Sequence, residues 1–321
     1  MSLRIGLDIG GTKTAALVTD AHARPLGKAI RPTNVSSPDD LVAGTVEAVA
    51  HALCDAGHTG DELVAAGVGV PGQVDPVTGM VRLAVNLNMQ EPYPLRQRLQ
   101  EALGVPVALE NDVRTAAWGA FHWACGREPL NSLAYLSIGT GIAAGLVLDG
   151  RLYRGAHGMA GEIGHIPVDS AGPRCICGAY GCLETLAAGP AIAAQASALM
   201  SGPDGRSLST VEVYELAAAG HPAARHVVER AAGYLSRAVY LLLMAYDVEK
   251  VVLGGGVTRA GAAFERPLRA AMDAMRSDSP LTASMMPDER VVVIPPDYNA
   301  GVMGAVYLAP VPESGEQVGG K

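Results

Sequence analysis

The chain has 321 residues, 49% of them hydrophobic, 17% charged and 4% aromatic, which is enough to bury one large core or two smaller ones. A formal net charge of −8 argues against a broad nucleic-acid or anionic-membrane surface. Gly and Ala are plentiful, which suits an α/β chain with glycine-rich ligand loops.

Leu3 to Leu7 reads as a strand, Gly10-Gly11 as a turn and Thr14 to Thr19 as a second strand. Asp40 to Ala56 has helical periodicity, with Leu41, Val42, Val46, Val49, Ala50 and Leu53 on one side. Leu63 to Val70 is a short apolar strand ending at Pro71-Gly72. Leu95 to Leu103 reads as a helix closed by Gly104, and Val105 to Leu109 as a strand leading into Glu110-Asn111-Asp112. A helix follows from Val113 to about Trp123.

Leu133 to Ser137, the turn Gly139-Thr140-Gly141 and Ile142 to Leu148 repeat the first hairpin 129 residues later. Ile9-Gly10 aligns with Ile138-Gly139, Leu17-Val18 with Leu146-Val147, and Asp20 with Asp149. Two readings stand here: a chance match of two glycine hairpins, or two lobes that open alike. Asp8 becomes Ser137 in the second copy, so two such lobes would divide the chemistry. Ala223 to Asp247 reads as one long buried helix, and Val248 to Leu253 as a strand running into Gly254-Gly255-Gly256. Alternating strands and helices imply α/β sheets. The Gly-, Glu- and Pro-rich tail after Pro310 is expected to be disordered.

No basic-then-apolar leader pattern opens the chain, and the longest apolar run, Ala238 to Tyr246, is too short to span a bilayer. The five cysteines, three of them within eight residues, make a poor disulfide framework and suit a reducing cytosol. Cys54 and Cys125 are expected to be buried thiols.

Four motifs carry chemistry. Asp8-Ile-Gly-Gly-Thr-Lys13 places backbone N–H groups, the Thr12 hydroxyl and the Lys13 charge where phosphate oxygens could sit, with Asp8 suited to hydrated Mg²⁺. A plain hairpin turn with a solvated Asp8 is the other reading. In Glu110-Asn111-Asp112, Asn111 or Asp112 could simply cap the following helix. Alternatively, Asp112 accepts the proton of a substrate hydroxyl.

His165 followed by Cys175, Cys177 and Cys182 is the strongest signal. One imidazole and three thiolates at this spacing can close a tetrahedral structural zinc site. The remaining N–H of His165 then needs a partner, and a sugar hydroxyl would serve. The same segment carries Glu162 and Glu184. Gly254-Gly255-Gly256 is either a strand-to-helix turn or a bare backbone that admits a flat adenine ring.

Together these residues resemble the ROK family of sugar kinases and repressors, within the hexokinase/actin-like ATPase superfamily, from Leu3 to about Leu308. The carrying motifs are Asp8 to Lys13, Gly69-Val-Pro-Gly72, Glu110-Asn-Asp112, Gly158-Met-Ala-Gly-Glu-Ile-Gly-His165 and Cys175-Ile-Cys-Gly-Ala-Tyr-Gly-Cys-Leu-Glu184. The resemblance implies two ribonuclease-H-like lobes around a central cleft. The lobes would be residues 1–120, with a returning helix at about 299–310, and 121–298 with the zinc loop, leaving 311–321 as a tail. It implies a cytoplasmic ATP-dependent kinase acting on the 6-hydroxyl of a hexose, glucose first, with Asp112 as base.

Gly72, Asn88, Asn111, Asp112, Glu162, His165 and Glu184 would hold the sugar. Asp8, Gly10 to Lys13 and Gly139 to Gly141 would hold Mg²⁺ and phosphates, and Gly254 to Gly256 the adenosine. His165, Cys175, Cys177 and Cys182 would hold zinc. N-acetylmannosamine, N-acetylglucosamine and fructose are alternative substrates. A dimer or tetramer with no nucleic-acid or membrane partner is implied.

A sugar-responsive repressor would carry a helix-turn-helix domain ahead of this body, and Asp8 lies only seven residues from the start. A non-catalytic sugar sensor is the third reading. Two places depart from the family pattern. Ile142-Ala143-Ala144-Gly145 stands where a glycine run is usual, and Met89 where the sugar-proximal segment often ends in Trp.

Overall fold

The structure is a computed structural model and describes residues 2–200 and 207–310. The expected tail at 311–321 lies outside them. The chain forms two compact units, one joining the residues up to His122 with those from Asn299 onward, the other Trp123–Tyr298.

The first unit opens with β1 (Leu3–Ile9), β2 (Lys13–Thr19) and β3 (Pro25–Pro32), followed by α1 (Pro38–Asp55). Ser37 caps α1 by accepting from Asp40 N, Pro38 fixes φ at the first position, and Asp39 and Asp40 complement the helix dipole. Next come β4 (Leu63–Val70), a hairpin of β5 (Gln73–Asp75) and β6 (Met80–Leu83), α2 (Leu95–Leu103), β7 (Val107–Asn111) and α3 (Asp112–Cys125). Gly104, at φ +70°, ends α2 in the left-handed conformation that glycine adopts without strain.

The sheet order is β3-β2-β1-β4-β7, with β2 antiparallel to both neighbours and β1, β4 and β7 parallel. Leu3, Ile5, Leu7, Val68 and Val70 of the sheet meet Leu41, Val49 and Leu53 of α1 in one core.

The second unit repeats this plan. It holds β8 (Leu133–Ile138), β9 (Ile142–Leu148), β10 (Arg151–Tyr153), α4 (Leu183–Ala187), α5 (Gly189–Met200), α6 (Thr210–Ala218), α7 (Pro222–Tyr246), β11 (Lys250–Gly254), α8 (Ala262–Asp278), α9 (Pro280–Met285) and β12 (Val291–Val293). The order β10-β9-β8-β11-β12 has the same antiparallel and parallel pattern. The two hairpins are therefore corresponding parts of two like sheets. Even the register agrees: Ser137 faces Gly254 as Asp8 faces Gly69.

The last helix, α10 (Ala300–Leu308), packs on β1 and β4 of the first unit. Asn299 caps it, its Oδ1 accepting from Val302 N at 3.3 Å. The close approach needs bare backbone: a Cβ on Gly6 or Gly67 would overlap the carbonyl oxygens of Val302 and Ala305.

Two sequence expectations need correction. Cys54 is exposed and Cys125 only half-buried, because Cys54 lies on α1 beyond the stripe formed by Leu41, Val49 and Leu53. The strand expected at Val105 to Leu109 instead spans Val107–Asn111, and α3 begins at once. Among the described residues, no helix is long and apolar enough to cross a membrane.

Candidate functional site

In the first unit the parallel strand ends align the chemistry. Asp8 on β1 faces Gly69 on β4, which faces Glu110 on β7. Ligand groups in open α/β sheets gather at this carboxyl edge. Because β7 passes directly into α3, Asn111 is the last strand residue and Asp112 the first helical one.

Asn111 Oδ1 accepts from Val113 N at 3.1 Å and Arg114 N at 3.2 Å, while its Nδ2 donates to Gly72 O at 3.2 Å. Asp112 Oδ1 accepts from Val113 N at 2.9 Å. The capping reading is thus realised by Asn111, and Asp112 stays compatible with chemistry, since a carboxylate offers about four acceptor sites. Gly72, at φ +97°, lies where a Cβ would overlap Leu83 O, and it contributes its carbonyl to Asn111.

Glu110 is 1% exposed. Its Oε1 accepts from Arg114 Nε at 2.7 Å and from Asn111 N at 2.8 Å. This buried ion pair spans the first turn of α3 and fixes the backbone that presents Asn111 and Asp112. Sequence reading missed Arg114, although its spacing of four from Glu110 was the available signal.

The first glycine turn is closed by Gly10 N donating to Lys13 O at 2.9 Å. A second residue that sequence reading missed, Thr33, braces it. The Thr33 hydroxyl donates to Gly10 O at 2.7 Å, its N–H donates to Thr12 O at 3.1 Å, and Thr14 Oγ1 lies 3.0 Å away. Thr12 and Lys13 are exposed at the tip. Gly11 runs against Asn86, whose carbonyl oxygen would lie 2.8 Å from an added Cβ. Asn88 is exposed and left-handed, at φ +55°. Met89 is 1% exposed and belongs to the core of the first unit.

Burial pushes the Asp8 carboxyl up to about 6, the nearby Asp112 charge adds to the rise, and Lys13 partly offsets it. The folded state therefore binds this proton more tightly than the unfolded chain, whose value is near 3.8. Ionised Asp8 opposes folding above pH 6, and the penalty vanishes as pH falls through 4. Asp8→Asn should therefore raise Tm at pH 7 to 8, by up to ~3 kcal/mol of stability, and leave it unchanged at pH 4. Thermal melts of both proteins without nucleotide or divalent ion check this.

In the second unit, Gly139 N donates to Gly141 O at 2.9 Å, and Thr140 is exposed at the tip. An added Cβ on Gly139 would lie 3.8 Å from Gly256 N, so the turns at 139–141 and 254–256 are neighbours. Gly255, at φ +100°, leaves no room for a Cβ against Ile138 O, and Thr258 Oγ1 donates to its carbonyl at 3.0 Å. Ala144 is 3% exposed and its N–H donates to Gly161 O at 2.7 Å, whereas Ala143 alternates to the other face of β9. Glu162 is exposed, His165 half-buried. Glu184 Oε2 accepts from Ile142 N at 3.0 Å.

His165, Cys175, Cys177 and Cys182 place one donor atom each within 4.8 Å of one another. His165 Nδ1 lies 3.5 Å from Cys175 Sγ, and Cys177 Sγ lies 3.6 Å from Cys182 Sγ. A tetrahedral ion with Zn–S near 2.3 Å sets ligand–ligand edges of roughly 3.3–3.8 Å, so the donor set fits such an ion. Without a metal, burial and the neighbouring thiols push Cys182 up to about 12. Backbone and thiol hydrogen bonds, led by that of Ala179, hold Cys177 below the usual thiol range. The cluster can hold a metal ion, and Nδ1 is the ring nitrogen turned toward it.

Two sheets of one strand order, each opening on a glycine turn, define the ribonuclease-H-like class of the actin-like ATPases. The sequence matches the ROK family over residues 4–311. It is 32% identical to a glucokinase of Halalkalibacterium halodurans, over 83% of this chain and 83% of that one. It is 30% identical to an N-acetylmannosamine kinase of Salmonella newport, over 95% and 97%. The crystal structure of a ROK family glucokinase from Streptomyces griseus in complex with glucose and AMPPNP aligns with a TM-score of 0.80 at 30% identity, over 96% of this chain and 99% of that one. The chain belongs to the ROK family.

Proposed function

We propose that this protein is an ATP-dependent hexose kinase that phosphorylates the 6-hydroxyl of glucose in the cytoplasm. The observation that carries the reading is the placement of Asp112 at the head of α3, close enough to Asp8 to raise its pKa, beside a glycine turn whose tip presents Thr12 and Lys13.

Asp112 accepts the proton of the 6-hydroxyl as that oxygen bonds to the γ-phosphorus. The bond from phosphorus to the bridging oxygen breaks, and ADP leaves. A base of this kind contributes about 10²–10⁴ in rate. The rest is positioning and charge stabilisation, as in phosphoryl transfer generally. Gly72, Asn88 and Asn111 frame the sugar side of the first unit, and Glu162, His165 and Glu184 hydrogen-bond sugar hydroxyls. Gly10 to Lys13 and Gly139 to Gly141 hold phosphate oxygens, and Gly254 to Gly256 lie against the adenosine. Two nearby carboxylates beside one lysine suit hydrated Mg²⁺, which Asp8 would hold, and the ion neutralises phosphate charge when bound.

We assign zinc to the His165–Cys175–Cys177–Cys182 cluster, with a structural role, since four protein ligands leave no open position. One zinc per chain is expected by elemental analysis. Chelation, or Cys182→Ser, should lower stability by about 3 kcal/mol, the linkage expected for a metal at 100 times its Kd. An unchanged melting curve after complete metal removal would refute the assignment.

N-acetylmannosamine is the second reading, favoured by the similarity to the Salmonella kinase. Ratios of kcat/KM for glucose, N-acetylmannosamine, N-acetylglucosamine and fructose decide between them. Preference for glucose supports the first reading, and preference for an acetamido sugar replaces it with the second.

A further inference from the structure

We propose that Glu184 is a positioning residue for the Gly139–Gly141 turn and couples hexose binding to the grip on nucleotide phosphates. The proposal rests on the kinase reading above, in which Glu184 meets the sugar and the turn meets phosphate. The structure adds a direct link between those two roles.

Glu184 stands on α4, two residues after the last cysteine of the metal cluster. Its Oε2 accepts from Ile142 N, the first residue of β9 after the turn, at 3.0 Å. The same oxygen lies against Gly141, where a Cβ would overlap it. The other end of the turn is held from the same segment, Gly189 N donating to Gly139 O at 2.9 Å. Residues 184 and 189 thus grip the turn at both ends.

Glu184 also packs beside Gly164, the neighbour of His165, and Gly164 itself runs against the Ile142 carbonyl. A Cβ on Gly164 would lie 3.5 Å from Glu184 Cβ. Among the described residues the Glu184 side chain makes no other hydrogen bond or ion pair, so Oε1 remains for a ligand.

A carboxylate is a rigid plane. Fixing Oε1 on a sugar hydroxyl restricts the motion of Oε2, and with it the Ile142 N–H and the turn. A nucleotide that meets an already ordered turn loses less conformational entropy on binding. Linkage then requires the nucleotide to tighten sugar binding by the same factor.

The test is calorimetric titration of Mg-ADP with and without glucose, using zinc-loaded wild type, Glu184→Ala and Glu184→Gln. Glucose should tighten Mg-ADP binding to wild type by at least about 5-fold, within the usual range of coupling. Glu184→Ala should weaken Mg-ADP binding even without sugar, by about 5- to 10-fold, and bring the coupling factor to about 1. Glu184→Gln keeps an oxygen that can accept from Ile142 N and should restore most of the sugar-free affinity. Amide exchange at Ile142 should speed up in Glu184→Ala and not in Glu184→Gln.

Unchanged sugar-free Mg-ADP affinity in Glu184→Ala, with only hexose binding weakened, would overturn the proposal and leave Glu184 a simple sugar ligand. Should Glu184→Ala lose its metal or its fold, Gly141→Ala makes the same test, because its methyl displaces Oε2. Wild-type affinity in Gly141→Ala would likewise overturn it. Absence of Mg-ADP binding by wild type would overturn the kinase reading itself, and this proposal with it.

Discussion

Replacing Asp112 with Asn is expected to lower kcat by about 10²- to 10⁴-fold, the range for removal of a positioned general base. The amide can still accept from Val113 N through its oxygen, which keeps the hydrogen bond seen at 2.9 Å, and the helix cap belongs to Asn111, so stability should change little. KM for the sugar should move far less than kcat, because the proton transfer belongs to the transition state. Steady-state kinetics beside a thermal melt separate the two effects. A fall in kcat matched by an equal loss of folded protein would point to a structural role instead.

The second large effect concerns stability. Glu110 and Arg114 are 1% and 5% exposed, and their contact is 2.7 Å. Removing one partner of a buried pair typically costs about 3–5 kcal/mol, against a total stability of roughly 5–15 kcal/mol. Arg114→Met keeps much of the side-chain volume and removes the charge, so it should destabilise by that amount in urea unfolding. Adding Glu110→Gln should recover a large part, since Gln still offers an oxygen to Asn111 N and leaves no buried charge. If the double substitution is no more stable than Arg114→Met, lost packing rather than electrostatics sets the penalty. In the folded fraction of Arg114→Met, kcat should also fall, because the pair fixes the backbone carrying Asn111 and Asp112.

Much of this was legible in the sequence because the signals are local. Gly104 marks a helix end through its own backbone freedom, and the structure ends α2 there in the left-handed conformation. The glycine turns at 10–11 and 139–141 announced two hairpins, and the paired sheets explain their likeness. The His165–Cys182 cluster was readable from donor type and spacing, and its donor atoms do gather.

What escaped was set by long-range packing or by weak local patterns. β3 and β10 are edge strands, the first mostly exposed and the second three residues long, so neither shows a buried apolar stripe. The brace of Thr33 on Gly10 spans 23 residues and the tether of Glu184 on Ile142 spans 42. No periodicity reports such contacts. Met89 stands out in the sequence only because the family's corresponding segment often ends in Trp, and its own surroundings are set by packing. The turn around Asn88 pairs Met89 with Ala84 through backbone hydrogen bonds, and the side chain is buried in the core.

The central claim is phosphoryl transfer from ATP to the 6-hydroxyl of a hexose. The most direct test is phosphorus NMR of the products formed by zinc-loaded wild type with Mg-ATP and glucose, with Asp112→Asn in parallel. The account predicts glucose 6-phosphate and ADP in equal amounts from wild type, and almost none from the variant in the same time. Sugar binding without any sugar phosphate, from glucose or from the other hexoses, would contradict it and make the protein a sensor.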